Sequence, residues 1–160
     1  MSTLTANPRR PSSILLLVVF LALVIGVGGV IGYMTAPGEW YAGLRKPPFN
    51  PPNWLFGPVW FVLYVLIAFA GWRTALRAPT GTAMRFWIAQ MILNWAWSPV
   101  WFGLHLVWPA FAIIIGVLLT IIGFIWSSWR EDRASALMFV PYLVWVAFAS
   151  TLNLSIGLLN

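Results

Sequence analysis

Gln90, Asn94 and Ser98 recur at i, i+4 and i+8 within an otherwise apolar stretch. On a helix they form one polar stripe along a single face. Trp60 and Tyr64, four residues apart, share a face in the same way, and Tyr142, Trp145, Ala149 and Leu152 recur at helical spacing within PYLVWVAFASTLN, residues 141–153. Flat indoles beside a few amide and hydroxyl groups suit a planar, apolar ligand held between helices. Interhelical hydrogen bonding alone would also account for the polar stripe, at about 1 kcal/mol per contact. Packing or interfacial anchoring would account for any one aromatic. The combination favours a site more than any single residue does.

Most other chemistries lack material. The acids are Glu39, Glu131 and Asp132, His105 is the single histidine, and there is no cysteine. Disulfides, thiolate metal sites and thiol nucleophiles are therefore excluded. Paired-carboxylate hydrolysis and a Ser-His-Asp triad have almost no residues to draw on. No metal site and no required cofactor is expected.

A second feature is the stretch WYAGLRKPPFNPPNWLFGPVW, residues 40–60. About twenty residues separate the first long apolar run from the second, with Trp40, Tyr41, Phe49, Trp54, the basic pair Arg45-Lys46, and five prolines from Pro37 to Pro52. A connection of that length without a helix of its own is usually a lid or disordered, and disordered segments lack aromatics. Proline fixes φ and pushes the preceding residue to extended conformations, so the loop is stiffened before it packs. It reads as an aromatic lid over an interhelical cavity, its two cations suited to acidic substituents on the ligand. An interfacial belt of Trp and Tyr at headgroup level is the competing reading.

The elements that must position these residues follow from composition. Of 160 residues, 61% are hydrophobic and 8% charged, with a mean hydropathy of +0.88. Lipid must cover much of that surface, so the chain is expected to be an all-α integral membrane protein. Residues 1–12 are polar and expected to be a disordered N-terminus. Residues 13–160 form a single domain, a five-transmembrane-helix bundle. Its helices are expected over residues 13–33, 54–76, 83–104, 108–129 and 135–157, with the long aromatic, Pro-rich loop between the first two. Pro58 falls in the first turn of the second helix, while Pro99 and Pro141 lie inside helices. Gly28 and Gly32 give the first helix a small-xxx-small ridge that lets another backbone approach. The net charge is +6, but the positives sit at the ends of apolar runs and read as topology signals and headgroup contacts, not as a nucleic-acid surface. Seven of them (Arg9, Arg10, Arg73, Arg77, Arg85, Arg130 and Arg133) fall on one side, and Arg45 and Lys46 on the other. Positive-inside bias predicts a cytoplasmic N-terminus and a lid facing outward.

These residues resemble the TspO family, the tryptophan-rich sensory proteins also called translocator protein or peripheral benzodiazepine receptor. The resemblance rests on WYAGLRKPPFNPP (40–52), GPVW (57–60), NWAWSPVWFG (94–103) and PYLVWVAFASTLN (141–153), in the family's order and spread over about two thirds of the chain. It implies a bacterial-type, multi-pass protein of the cell membrane, with an outer membrane left open. It also implies a five-helix bundle, often a homodimer, binding tetrapyrroles such as protoporphyrin IX and haem, and also sterols and isoquinoline or benzodiazepine ligands. Carried over by position, the family's pocket falls on Tyr41, Pro51, Phe56, Trp60, Asn94, Trp97, Trp145, Ala149 and Leu152; the lid cations Arg45 and Lys46 are added from the residues themselves. The expected function is a membrane receptor or carrier for tetrapyrroles, in porphyrin transport or stress signalling. One alternative is a light-dependent porphyrin-degrading enzyme with Trp60 and Trp145 as its redox-active groups. Another is a signalling protein whose lid binds a protein partner. Two departures stand out. Leu154 occupies the place of the Tyr in the animal members' sterol motif, with no basic residue after it, which argues against sterol specificity. Arg85 lies four residues before Ala89 on the family's dimer ridge, which argues against dimerisation through that face. His105 is the one candidate axial ligand to a haem iron, but a solvated or headgroup-level histidine is expected, and with it tetrapyrrole binding without obligatory iron ligation.

Overall fold

The computed structural model describes residues 11–160. The expected disordered N-terminus therefore falls mostly outside the described residues, as do Arg9 and Arg10. Every regular element among the described residues is helical, the form in which an apolar segment satisfies its own backbone polar groups in lipid. The first apolar run comprises α1 (Pro11–Leu21), a π-helical turn (Ala22–Gly26) and α2 (Val27–Met34). It starts two residues earlier than the sequence suggested, with Pro11 at the first helical position, where a missing N–H is harmless. A short helix α3 (Glu39–Gly43) follows, then α4 (Asn53–Arg77), α5 (Thr82–Ser98) with a π-helical turn (Pro99–Gly103), α6 (Val107–Ser128), α7 (Arg133–Met138) and α8 (Val140–Leu159).

Among the described residues, four helical segments are long and apolar enough to cross a membrane: Ser12–Met34, Asn53–Arg77, Val107–Ser128 and Arg133–Leu159. The third expected helix is α5 with its π turn. It is the most polar of the long helices, carrying Arg85 and the Gln90–Asn94–Ser98 stripe, and it packs along the length of α6.

Four local expectations need correction. The connection over residues 35–52 does contain a helix of its own, α3, entered from extended Gly38 with Glu39 in its first turn; an acid there suits the positive end of the helix dipole. Pro58 sits in the second turn of α4, not the first, because the helix begins at Asn53. The third helix is not α-helical throughout. Pro99 has no N–H for the carbonyl one turn back, and the chain widens into a π turn closed by Leu104 N–H donating to Pro99 O at 2.9 Å. The fifth is broken at Phe139, just ahead of Pro141, into α7 and α8.

The main core gathers Phe20, Ile67, Trp87, Phe124, Tyr142 and Val146 from α1, α4, α5, α6 and α8, with Phe139 from the break between α7 and α8. A smaller cluster, Tyr41, Trp101, Ala110, Leu152 and Ile156, lies beneath α3. At the opposite end an ionic latch joins α4 to the α6–α7 connection. Arg73 donates to both Asp132 oxygens (2.8 and 3.1 Å), Arg77 reaches Asp132 at 2.9 Å and Glu131 at 3.6 Å, and Ser135 Oγ donates to Asp132 at 2.6 Å. Burial pushes the Asp132 carboxyl up, but the hydrogen bonds from Arg73 and Ser135, with the Arg73 charge, outweigh it and hold the group well below the usual carboxylate range.

Candidate functional site

α1 and its π turn pack along α4, whereas α2 leans on α5. The wedge between α2, α4, α5 and α8 is a cavity of about 510 Å³, within the range of roughly 300–1,000 Å³ usual for small-molecule sites. Its aromatic lining comes from Phe56, Trp60, Phe61 and Tyr64 of α4, Trp95 and Trp97 of α5, Phe102 of the π turn and Trp145 of α8. Trp60 lies 5.4 Å from the Tyr64 ring and 6.2 Å from that of Tyr142, and Phe56 meets Trp145 edge-on at 5.8 Å. The i, i+4 spacing of Trp60 and Tyr64 is what turns both toward one space.

The polar stripe of α5 is used along its whole length. Tyr64 Oη donates to Asn94 Oδ1 at 3.2 Å, Asn94 Nδ2 donates to Tyr142 Oη at 2.8 Å, and Tyr142 Oη donates to Gln90 Oε1 at 3.0 Å. This chain runs from the cavity wall at Tyr64 and Asn94 into the core. Thr35 Oγ1 donates to Ile31 O at 2.7 Å, so in its 2.6 Å pair with Ser98 it is Ser98 that donates. The wall hydroxyls of Tyr64 and Ser98 thus have their O–H donors engaged. The indole N–H groups of Trp60 and Trp145 carry no hydrogen-bond partner among the described residues, and that of Trp95 is buried without one. Among the described residues no charged side chain lines the cavity. Such a space accepts a flat apolar body and offers donors to its acceptor atoms.

Six of the residues expected to form the site line this cavity: Phe56, Trp60, Asn94, Trp97, Trp145 and Ala149. Five lie elsewhere. Tyr41 and Leu152 are buried in the smaller cluster under α3, where Tyr41 meets Phe102 edge-on at 5.3 Å and donates to Asn50 Oδ1 at 3.1 Å. Burial pushes the Tyr41 hydroxyl up, with the Asn50 bond opposing. Pro51 accepts a hydrogen bond from Asn50 Nδ2. Lys46 Nζ donates to Ala42 O and Leu44 O at the end of α3 and sits 4.6 Å from the Tyr41 ring centre. The Arg45 side chain is exposed, and its backbone N–H and C=O pair with the Asn160 side chain at 2.9 and 3.0 Å. Trp97 and Phe102 belong to both regions, stitching the lid's cluster to the cavity.

The 35–52 connection also packs on His105, which stacks on Trp40 at 4.3 Å and 18°. His105 has φ 59°, a left-handed backbone uncommon outside glycine. It does not line the cavity.

Sequence reasoning missed Thr35, Trp95 and Phe102, and it read the glycines of the first helix only as a packing ridge. The Gly28 position faces the Tyr64 ring, where a Cβ would overlap it, while Gly29 and Gly32 have nothing within 4 Å. The ridge therefore receives a side chain, and its other glycines are open. Exposed Gly29, Gly32, Gly57 and Phe61 form an edge of the cavity on the outside of the bundle. The run of glycines was the signal; only the fold shows what it faces.

A sequence model of the TspO/MBR family matches residues 18–159. The chain is 38% identical to the tryptophan-rich protein TspO of Archaeoglobus fulgidus over 92% of this chain and 99% of that one. It is 36% identical to the tryptophan-rich sensory protein of Cereibacter sphaeroides over 91% of each. The human translocator protein is 30% identical over 82% of each chain.

Proposed function

The chain belongs to the TspO/MBR family and is a multi-pass membrane protein of the sensory and transport type, and we propose that it is a receptor or carrier for tetrapyrroles. In this reading five helices cross the cell membrane, α5 with its π turn being the fifth, and the N-terminus is cytoplasmic. Protoporphyrin IX or haem occupies the space between α2, α4, α5 and α8 without a required cofactor. The observation that carries the reading is the uncharged cavity of about 510 Å³, walled by Trp60, Trp97 and Trp145 with Asn94 at its polar edge. The macrocycle lies against the indoles, and its acceptor atoms meet the unpartnered indole N–H groups. Sterol-like, isoquinoline or benzodiazepine ligands would use the same apolar walls.

The test is quenching of tryptophan fluorescence in the purified protein, titrated in the dark with protoporphyrin IX, haem and cholesterol. Saturable quenching by both tetrapyrroles and a weaker response to cholesterol is the expected result. Equal, non-saturating quenching by all three would overturn the proposal.

A second reading, light-driven porphyrin degradation, is favoured by one observation: Trp60 and Trp145, both readily oxidised, line the same cavity. Product analysis after illumination separates an enzyme from a binder.

A further inference from the structure

A second recess lies at the end of the bundle away from α3. This groove of about 650 Å³ runs along α6 and α8, with Ile122, Ile125 and Leu143 as its apolar floor and Trp126, Trp129 and Arg130 at its mouth. None of the expected site residues touches it. Trp126 is 82% exposed and Trp129 42% exposed. Indoles at the end of a membrane helix sit at headgroup depth, so the mouth lies among headgroups and the floor among acyl chains.

The charges around the mouth are unequally matched. Glu131 also borders the groove, but it pairs with Arg77, and Asp132 is taken by Arg73 and Arg77. Arg133 lies over the Trp129 ring at 4.9 Å. Arg130 has no acidic partner among the described residues, and neither does Arg133. The mouth is therefore left with a net positive charge beside an apolar trough. A soluble anion would leave the trough empty, and a zwitterionic lipid would leave the surplus charge unmatched.

We infer that this groove seats one anionic phospholipid, its acyl chain along Ile122, Ile125 and Leu143 and its phosphate at Arg130. The guanidinium offers a phosphate two parallel N–H donors. The Trp126 and Trp129 indoles, which donate to no group among the described residues, flank the glycerol level. The site is independent of the cavity and of what the cavity binds.

The test is native mass spectrometry of the full chain released from micelles containing equimolar phosphatidylglycerol and phosphatidylcholine. One phosphatidylglycerol per chain should be retained in preference to phosphatidylcholine. Arg130→Ala should lower that preference about fivefold, the effect of one basic residue near a membrane surface. Ile125→Trp, which fills the floor, should reduce retention of both lipids. Arg85→Ala removes a cation at the same end but outside the groove and should leave retention unchanged; circular dichroism of each variant checks that it is folded. Equal retention of the two lipids by the wild type would overturn the inference. So would an equal fall in Arg85→Ala and Arg130→Ala, which would mean diffuse surface charge, or unchanged retention in folded Ile125→Trp.

Discussion

Trp60 and Trp145 face each other's neighbours across one cavity, so they can flank a flat ligand, and their chemistry separates two roles. Offset aromatic pairs contribute about 0.5–1.5 kcal/mol each beyond area burial. Trp60→Phe and Trp145→Phe keep a ring at each place, so each should weaken dark binding by less than about tenfold. Phenyl is far harder to oxidise than indole, so the same changes should suppress any light-driven loss of porphyrin much more. Fluorescence quenching and porphyrin absorbance under illumination, on the same variants, read the two effects. Equal bleaching in wild type, variants and free porphyrin would exclude an enzymatic role. Helical spacing put Trp60 with Tyr64, Asn94 with Ser98, and Trp145 with Ala149 on shared faces that the cavity receives. Phe56 and Trp97 came only from the resemblance, and Leu152, on the same face as Ala149, packs in the smaller cluster. Lys46 was not legible. Its place depends on α3, where the ammonium finds Ala42 and Leu44 carbonyls and the Tyr41 ring, and nothing in the order of loop residues announces that turn.

At the scale of elements, the helices were readable from hydropathy and their interruptions only from packing. Pro99 and Pro141 marked where backbone donors are missing, but whether a proline is answered by a π turn or by a break is decided by what surrounds it. The glycines of α2 offer a contrast that can be measured. Gly28→Ala drives a methyl into the Tyr64 ring and should destabilise the protein by about 1–3 kcal/mol, as overpacking does. Gly29→Ala meets open space and should be neutral or stabilising by up to about 1 kcal/mol, the helix-propensity difference. Thermal unfolding in detergent distinguishes the two, and similar midpoints would contradict the packing described. The latch at the α6–α7 connection makes a pH prediction. The Asp132 carboxyl lies lower in the folded chain than its unfolded value of 3.8. Its stabilisation is thus complete above that value and lost as the pH falls through the lower folded value. Asp132→Asn should cost about 1–3 kcal/mol at neutral pH, given that Arg73 and Arg77 remain partly solvated. The gap between variant and wild type should narrow below about pH 4; a gap that stays constant into acid would show that the carboxylate charge is not what matters.

For the molecule as a whole, the described cations Arg73, Arg77, Arg85, Arg130 and Arg133 sit at the ends of α4 and α6 and the starts of α5 and α7, while Arg45 and Lys46 lie beside the lid. A C-terminal reporter active only in the cytoplasm should therefore stay silent, and one active only outside should give signal. The reverse pattern would invert the proposed orientation. The edge formed by Gly29, Gly32, Gly57 and Phe61 has a further consequence at this scale. A cavity whose rim faces hydrocarbon draws on solute already dissolved in the bilayer, so the concentration that governs occupancy is a mole fraction in lipid, not a molarity in water. Diluting the protein with more lipid at fixed total ligand should weaken apparent affinity in proportion, while diluting with buffer should hardly change it. Two laboratories working at different lipid-to-protein ratios would then report different dissociation constants for the same site, and both would be right.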